Sequence, residues 1–261
     1  MKAAPPPADP VASSKNAMPG GLAAARIWLF DFDNTLVALE PEVDWAASRV
    51  ELERYLRHAG VGDAIFAEVP KGNLPLYEKL RGRLMEHAGA GAAGLARDAR
   101  PGVNPAVLLA GASAIIEAYE LRGAERATAL PGATGLLRAV KARNRPVAIV
   151  TSNSSRTVRR WLERHELSRA VDLIVGRDMI LPLKPAPDMV VRALALSGAL
   201  AHEAVFVGDS EADAGAARAA GVAFYGIATT AERRERFARD GAREIFGTPA
   251  ELAKRLNSFP S

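Results

Sequence analysis

The 261-residue chain has no cysteine, which excludes a disulfide framework, a thiolate metal site and a thiol nucleophile. Nothing in it asks for an oxidising compartment. It also lacks any apolar run approaching the ~20 residues that a membrane helix needs, and its first residues show no apolar core of a signal peptide. The expectation is a cytoplasmic protein with no membrane partner. Aromatic residues are scarce at 6%, and there are only four histidines. His58, His87, His165 and His202 are dispersed without metal-ligand spacing, so surface or packing roles are expected for them. Charge of one sign is missing as well: 34 Lys+Arg stand against 30 Asp+Glu. Stretches such as "ERRERFARDGARE" carry both signs and read as a solvated surface rather than a nucleic-acid interface. The residual charge of +4 favours anionic small molecules.

With 49% hydrophobic residues, the chain has room for real cores. Residues 1–22 are the exception, being rich in proline and small residues without periodicity, and they read as a disordered tail. Beyond them come apolar runs expected to form strands: Ile27–Phe30, Pro146–Val150, "VDLIVG", Ala204–Gly208 and "VAFYGIA". Most are continuous rather than alternating, as strands covered on both faces are. Helical stretches separate them, with Val158, Trp161, Leu162 and His165 on one face and "EADAGAARAAG" ending in a C-cap glycine. The fold class is α/β, a doubly wound parallel sheet.

The first strand is followed by some ninety residues without a convincing strand, too many for a loop. Trp45, Leu52, Leu56 and Ala59 share one helical face, Leu76, Leu80 and Leu84 a second, and Leu108, Ala112, Ile115 and Tyr119 a third. Asn104 and Pro105 open the third helix as cap and first helical residue. An inserted α-helical domain is therefore expected over residues 40–129, between core segments 23–39 and 130–261, with "AGAGAAGLARDARPG" as a mobile connection within it.

In parallel α/β sheets, ligands bind beyond the carboxyl ends of the strands. The residues leaving those ends are Asp31, Asp33 and Thr35, then Thr151, Ser152 and Asn153, then Lys184 in "LPLKPAP", then Asp209 and Asp213. Carboxylates brought together persist near neutrality when a cation holds them, and an all-oxygen set suits Mg²⁺, with Asp31, Asp33 and Asp209 converging on it. A lysine and a threonine beside such a site provide what an incoming phosphoryl group needs. Two aspartates two positions apart can divide the chemistry, one attacking phosphorus while the other moves protons. Asn153 and Ser154 read as caps of the helix beginning near Ser155.

These motifs resemble a known family. "DFDNT", "VTSNS", "KPAPD" and "GDSEAD" are similar, in order, to the four motifs of the haloacid dehalogenase superfamily phosphatases, here with a helical cap inserted after the first strand. The resemblance implies an aspartyl-phosphate intermediate, with Asp31 as nucleophile and metal ligand. It implies that Asp33 is the general acid/base whose backbone carbonyl also touches the metal, that Thr151 and the Ser152 N–H hold the phosphoryl oxygens, and that Lys184 pairs with Asp31 and the phosphoryl group. Asp209 would ligate Mg²⁺, Asp213 would orient this shell, and Thr35 would brace the turn that aims Asp33. The resemblance lies nearest the phosphoglycolate phosphatase-like group, so a small phosphorylated metabolite is the expected substrate. Asn34 departs from the glycine many relatives carry, and no stretch of the cap matches one subfamily.

Asp33 argues for phosphate-ester chemistry, since a departing alkoxide needs an acid and a departing halide does not. A phosphomutase is the alternative within the family. A phosphoaccepting receiver module uses the same residue types but in another order, with its acid pair early and its acceptor at mid-chain. Lys71 and Arg81 are the candidates for contacts to an anionic leaving group, and Trp45 lies where it could face the substrate.

Overall fold

The computed structural model describes residues 21–88 and 103–259. The expected tail as far as residue 20 and the connection over 89–102 lie outside them; Leu22, also expected in the tail, is buried against the core. Six strands form one parallel sheet: β1 (Ile27–Phe30), β2 (Val147–Val150), β3 (Leu173–Val175), β4 (Ala204–Gly208), β5 (Ala223–Ile227) and β6 (Ile245–Phe246), in the order β3-β2-β1-β4-β5-β6. The order reverses at β1, whose Trp28 pairs with Val147 on one side and Val205 on the other. That switch point is where a doubly wound sheet opens its ligand crevice. The two-residue edge strand β6 was not expected, since "IF" is too short to carry a strand signal of its own.

Every residue of β1, β2, β4 and β5 is buried, because successive side chains point to opposite faces and both faces are covered. Ile27 and Leu29 enter one core while Trp28 and Phe30 enter the other. On the second face Trp161 is fully buried, its indole N–H donating to the Ala127 carbonyl at 3.0 Å and its ring meeting Phe32 edge-on at 5.6 Å.

Between β1 and β2 lie α1 (Trp45–His58), α2 (Ala64–Glu68), α3 (Asn73–Ala88), α4 (Pro105–Ala124) and α5 (Ala133–Ala142), the last packing back on the sheet side. Asp44 caps α1 through the Ala47 N–H, and Asn104 caps α4 through Ala106 and Val107, so each helix starts where an acceptor satisfies orphan donors. Leu52, Leu56, Leu76, Leu80, Leu108 and Ala112 are buried in a core continuous with one face of the sheet. The chain enters and leaves this helical insert side by side: Ala38 N–H donates to the Thr128 carbonyl at 3.0 Å and Leu130 N–H to the Leu36 carbonyl at 2.9 Å.

The remaining helices alternate with strands as α6 (Ser155–Arg164), α7 (Asp188–Ser197), α8 (Glu211–Ala219), α9 (Ala231–Arg239) and α10 (Pro249–Asn257). Trp161→Ala would leave a large void in the second core and strand the Ala127 carbonyl. A loss of about 3–5 kcal/mol is expected, read as a lowered midpoint in equilibrium urea unfolding; a loss under about 1 kcal/mol would mean that this face is not packed as described.

Candidate active site

The carboxyl ends of β1, β2 and β4 lie side by side, so the residues that follow them meet. Asp31 follows β1, and the Lys184 ammonium lies 2.6 Å from its Oδ1. The same Nζ donates to Asp213 Oδ1 at 2.5 Å and to the Val150 carbonyl at 3.0 Å. An ammonium has three N–H groups and all three are used, which is how a side chain only 4% exposed keeps its charge. Burial alone would depress the Lys184 pKa, but Asp213 and Asp31 hold it above the ordinary lysine value.

Asp213 does two things at once. Its Oδ1 meets Lys184, while its Oδ2 accepts from the Ser210 N–H at 3.0 Å and hydroxyl at 2.6 Å, completing the capping box of α8. Gly208, at the end of β4, makes room for this carboxylate: a Cβ there would stand 2.5 Å from that of Asp213. Asp209 closes the group, and one oxygen from each of Asp31, Asp209 and Asp213 falls within 4.8 Å of the others. The Thr35 hydroxyl reaches Asp31 Oδ2 at 3.3 Å and Asp209 Oδ1 at 3.4 Å, so its side chain enters the carboxylate cluster rather than bracing the turn beneath Asp33.

Asp33 points elsewhere. Its Oδ1 accepts from the Leu39 and Glu40 N–H groups at 2.9 and 3.0 Å, which fastens the start of the insert to the turn after β1. Asn34 takes the left-handed region of that turn at φ 58°, a conformation that Asn tolerates better than most residues, and its amide donates to Glu40 Oε2 at 2.8 Å. The Asp33 carboxylate is thus not in the acidic cluster. A cavity of about 400 Å³ opens beside it, where Trp45, Asn73, Leu74 and Pro75 of the insert face Asp33 and Glu40. Lys71 and Arg81 do not line it; the Arg81 guanidinium is taken by Glu78, with Nη2 to Oε1 at 2.6 Å.

After β2, Thr151 donates its hydroxyl to Asn153 Oδ1 at 2.9 Å and accepts the Asn153 N–H at 3.1 Å. Ser154 caps α6 through the Thr157 N–H, as expected. Asn153 does not cap. Its Nδ2 donates to Glu120 at 3.1 Å, a partner on α4 with no local sequence signal.

Crowding shows in the acidities. Burial raises Asp31 well above the ordinary carboxylate range; Lys184 pulls against it, while Asp213 and Asp209 add to it. Burial likewise pushes Asp33 up to about 6, opposed by its two backbone donors. Asp209 rises to about 7 through burial and the charge of Asp213, with Arg233 and Lys184 opposing. Arg233, on the helix read from sequence as solvated surface, reaches Asp209 Oδ2 at 3.2 Å. Nothing in its neighbours along the chain distinguishes it from the other arginines of α9. As a donor set the cluster fits a hard divalent cation: it is buried, all-oxygen and electrostatically frustrated as it stands. Asp213 has both oxygens engaged by Lys184 and Ser210 at 2.5–3.0 Å, whereas Asp31 Oδ2 and Asp209 Oδ1 share only the single Thr35 hydroxyl proton, at 3.3 and 3.4 Å, and are the carboxylate oxygens more open to an ion.

Acid residues, a buried lysine and a hydroxyl gathered at the switch point of a parallel sheet are the arrangement of an α/β enzyme, with the carboxyl edge as its candidate active site. The family profile of the haloacid dehalogenase-like hydrolases matches residues 26–221, and the chain belongs to that family. Among similar proteins, the phosphoglycolate phosphatase of Pseudomonas syringae pathovar syringae is 28% identical over 198 residues, covering 76% of this chain and 67% of the relative. That of Pseudomonas putida is 29% identical over 202 residues, covering 77% and 69%. A hydrolase from Pseudomonas syringae shares the fold with a TM-score of 0.59 at 23% identity, covering 90% of this chain and 99% of its own. CbbY from Rhodobacter sphaeroides, solved in complex with phosphate, does so with a TM-score of 0.58 at 22% identity, covering 87% and 96%. Among the described residues, no helix is long and apolar enough to cross a membrane.

A carboxyl with a higher pKa folded than unfolded holds its proton more tightly in the native state. Its contribution favours the fold below the unfolded value and is lost as pH rises through the folded one. For Asp33 and Asp209 that window runs from 3.8 to about 6 and about 7. With a chelator present, Asp209→Asn should gain in denaturation midpoint over the parent chain as pH climbs from about 5 to about 7.5, and a divalent cation should raise the parent's midpoint most at the upper end. A difference between the two chains that stays flat with pH would contradict the crowding.

Proposed function

We propose that the protein is a Mg²⁺-dependent phosphomonoester hydrolase that acts on a small phosphorylated metabolite in the cytoplasm through an aspartyl-phosphate at Asp31. The observation that carries this reading is the buried Asp31 carboxylate with the Lys184 ammonium 2.6 Å away, at the strand end facing the Thr151 loop. Asp31 attacks phosphorus as the ester P–O bond breaks, and Asp33 gives its proton to the departing alkoxide. Both backbone donors on Asp33 go to Oδ1, leaving Oδ2 for the proton, and a pKa of about 6 keeps that proton available near neutrality. Asp33 then takes a proton from water as it attacks phosphorus, the bond to Asp31 breaks, and inorganic phosphate leaves.

Thr151, the Ser152 N–H and Lys184 hold the phosphoryl oxygens in this reading. Asp31, Asp209 and the Asp33 carbonyl would hold the ion, whose charge offsets that of the carboxylates and the phosphoryl group when bound. Residues 40–129 act as a cap over the site, and the cavity between Trp45 and Asp33 takes the leaving group. Exclusion of water there protects the intermediate until the alcohol departs. The relatives named phosphoglycolate phosphatases make phosphoglycolate the first ester to try. Phosphate release over a panel of small phosphate esters, with Mg²⁺ and with chelator, tests the reading. Undiminished release in chelator would remove the metal, and an isomerised ester in place of free phosphate would make the enzyme a mutase.

The two aspartates should separate by leaving group. Asp31→Asn should abolish single-turnover phosphoryl transfer with every ester, because an amide is not a useful nucleophile. Asp33→Asn should lose about 10²–10⁴-fold with an alkyl phosphate but much less with an aryl phosphate, whose phenolate leaves without protonation. Equal losses with both esters in Asp33→Asn would assign the proton elsewhere.

A further inference from the structure

Glu120 on α4 and Arg177, in the turn Arg177–Met179 after β3, are both fully buried. They pair as a fork, Nη1 to Oε1 at 2.8 Å and Nη2 to Oε2 at 3.1 Å. Neither belongs to the carboxylate cluster at the end of β1. A buried ion pair is weak evidence for stability, since apolar residues of equal volume often serve as well. Arg177 is further anchored to α4 by the Ser113 hydroxyl at 3.2 Å and carbonyl at 3.4 Å, and what the pair supplies beyond that is direction, aimed at the segment after β2. Arg177 donates to the Ser152 carbonyl at 2.7 Å. Glu120 accepts from Asn153 Nδ2 and the Ser154 N–H, each at 3.1 Å, and from the Thr157 hydroxyl at 3.3 Å.

The polarity of these bonds propagates. A carboxylate only accepts, so Asn153 must turn its amide nitrogen towards Glu120. Its oxygen then faces Thr151, whose hydroxyl donates to it at 2.9 Å while accepting the Asn153 N–H at 3.1 Å. The position and rotamer of Thr151 are thereby set from α4 through a single amide. An arriving phosphoryl oxygen, being anionic, is a stronger acceptor than that amide and draws the hydroxyl proton to itself without the oxygen having to move.

We propose that Glu120, held by Arg177, is the positioning residue of the phosphoryl-binding loop, fixing Thr151 through Asn153 and coupling the seating of the inserted helices to the readiness of that loop. This rests on the phosphatase reading above, with Thr151 as a phosphoryl ligand. The affinity for phosphate, more than the fold alone, then depends on a carboxylate that never touches it.

The test is calorimetric titration of the full chain, in Mg²⁺, with inorganic phosphate, alongside ester turnover and thermal midpoints. Glu120→Gln should weaken phosphate binding about tenfold or more, the scale of a lost hydrogen bond to a charged group. Asn153→Ala should weaken it by a smaller factor. Because both act on Thr151 along one path, the double variant should bind no more weakly than Glu120→Gln alone. Unchanged phosphate affinity in Glu120→Gln, with only a lower thermal midpoint, overturns the proposal, as do single effects that multiply in the double variant. If Glu120→Gln does not fold, Asn153→Ala decides: a raised Kd supports the relay and an unchanged one refutes it. A parent chain that neither binds phosphate nor hydrolyses any ester would instead overturn the phosphatase reading, a result distinguishable from failure of the relay.

Discussion

The ammonium of Lys184 is buried with each of its N–H groups taken, by Asp31, Asp213 and the Val150 carbonyl. That one charge holds the carboxylates of Asp31 and Asp213 side by side at the end of a sheet and opposes the repulsion between them. The constraint reaches outward. Asp213 must sit in the first turn of α8 to reach Lys184, Gly208 must lack a side chain for Asp213 to fit, and the loop carrying Lys184 must cross from β3 to the mouth of β1. The charges of Lys184 and of Arg233, 3.2 Å from Asp209, do not balance three carboxylates, so the raised pKa of Asp31 and of Asp209 is the imbalance that remains and that a cation would relieve.

The turn after β1 divides two tasks between residues two positions apart. Asp31 continues the strand into the cluster, while the turn through Asn34 swings Asp33 towards the Leu39 and Glu40 amides. Asp33, the acid of the proposed mechanism, is thus fastened to the segment leading into the insert, next to the cavity that the insert walls. The same helical insert reaches the opposite side of the site through Glu120. Its helices therefore touch the cavity beside Asp33 through Trp45 and the Thr151 loop through Glu120.

Much of this was legible in the sequence, for physical reasons that can be named. Strands β1, β2, β4 and β5 are covered on both faces, so each is a plain apolar run, and the residue types at their exits disclosed Asp31, Thr151 and Asp209. Two of the helical stripes of the insert follow from burial on one face. The third slips by a residue after Ala112, with Ile116 and Glu120 buried and Ile115 and Tyr119 only partly so, and Asn104–Pro105 marked the start of α4 to the residue. The misses lie where the determinant is non-local. Asn153 read as a cap because its neighbours suit one, whereas its partner Glu120 lies 33 positions earlier. Glu120 and Arg177 are 57 positions apart, and each taken alone is an ordinary charged residue. Arg233 was hidden among the other arginines of a mixed-charge helix, and β6 is a strand only because β5 offers it an edge.

The central claim is that the carboxylate held by Lys184 becomes phosphorylated. Acid quenching during the first turnover with a small phosphate ester, followed by digestion at low pH and fragment mass spectrometry, tests it most directly. The account predicts a hydroxylamine-labile phosphoryl group on Asp31, absent from Asp31→Asn. A phosphoryl group localised to Asp33, or a full first turnover that leaves no aspartate modified at any time point, would contradict it.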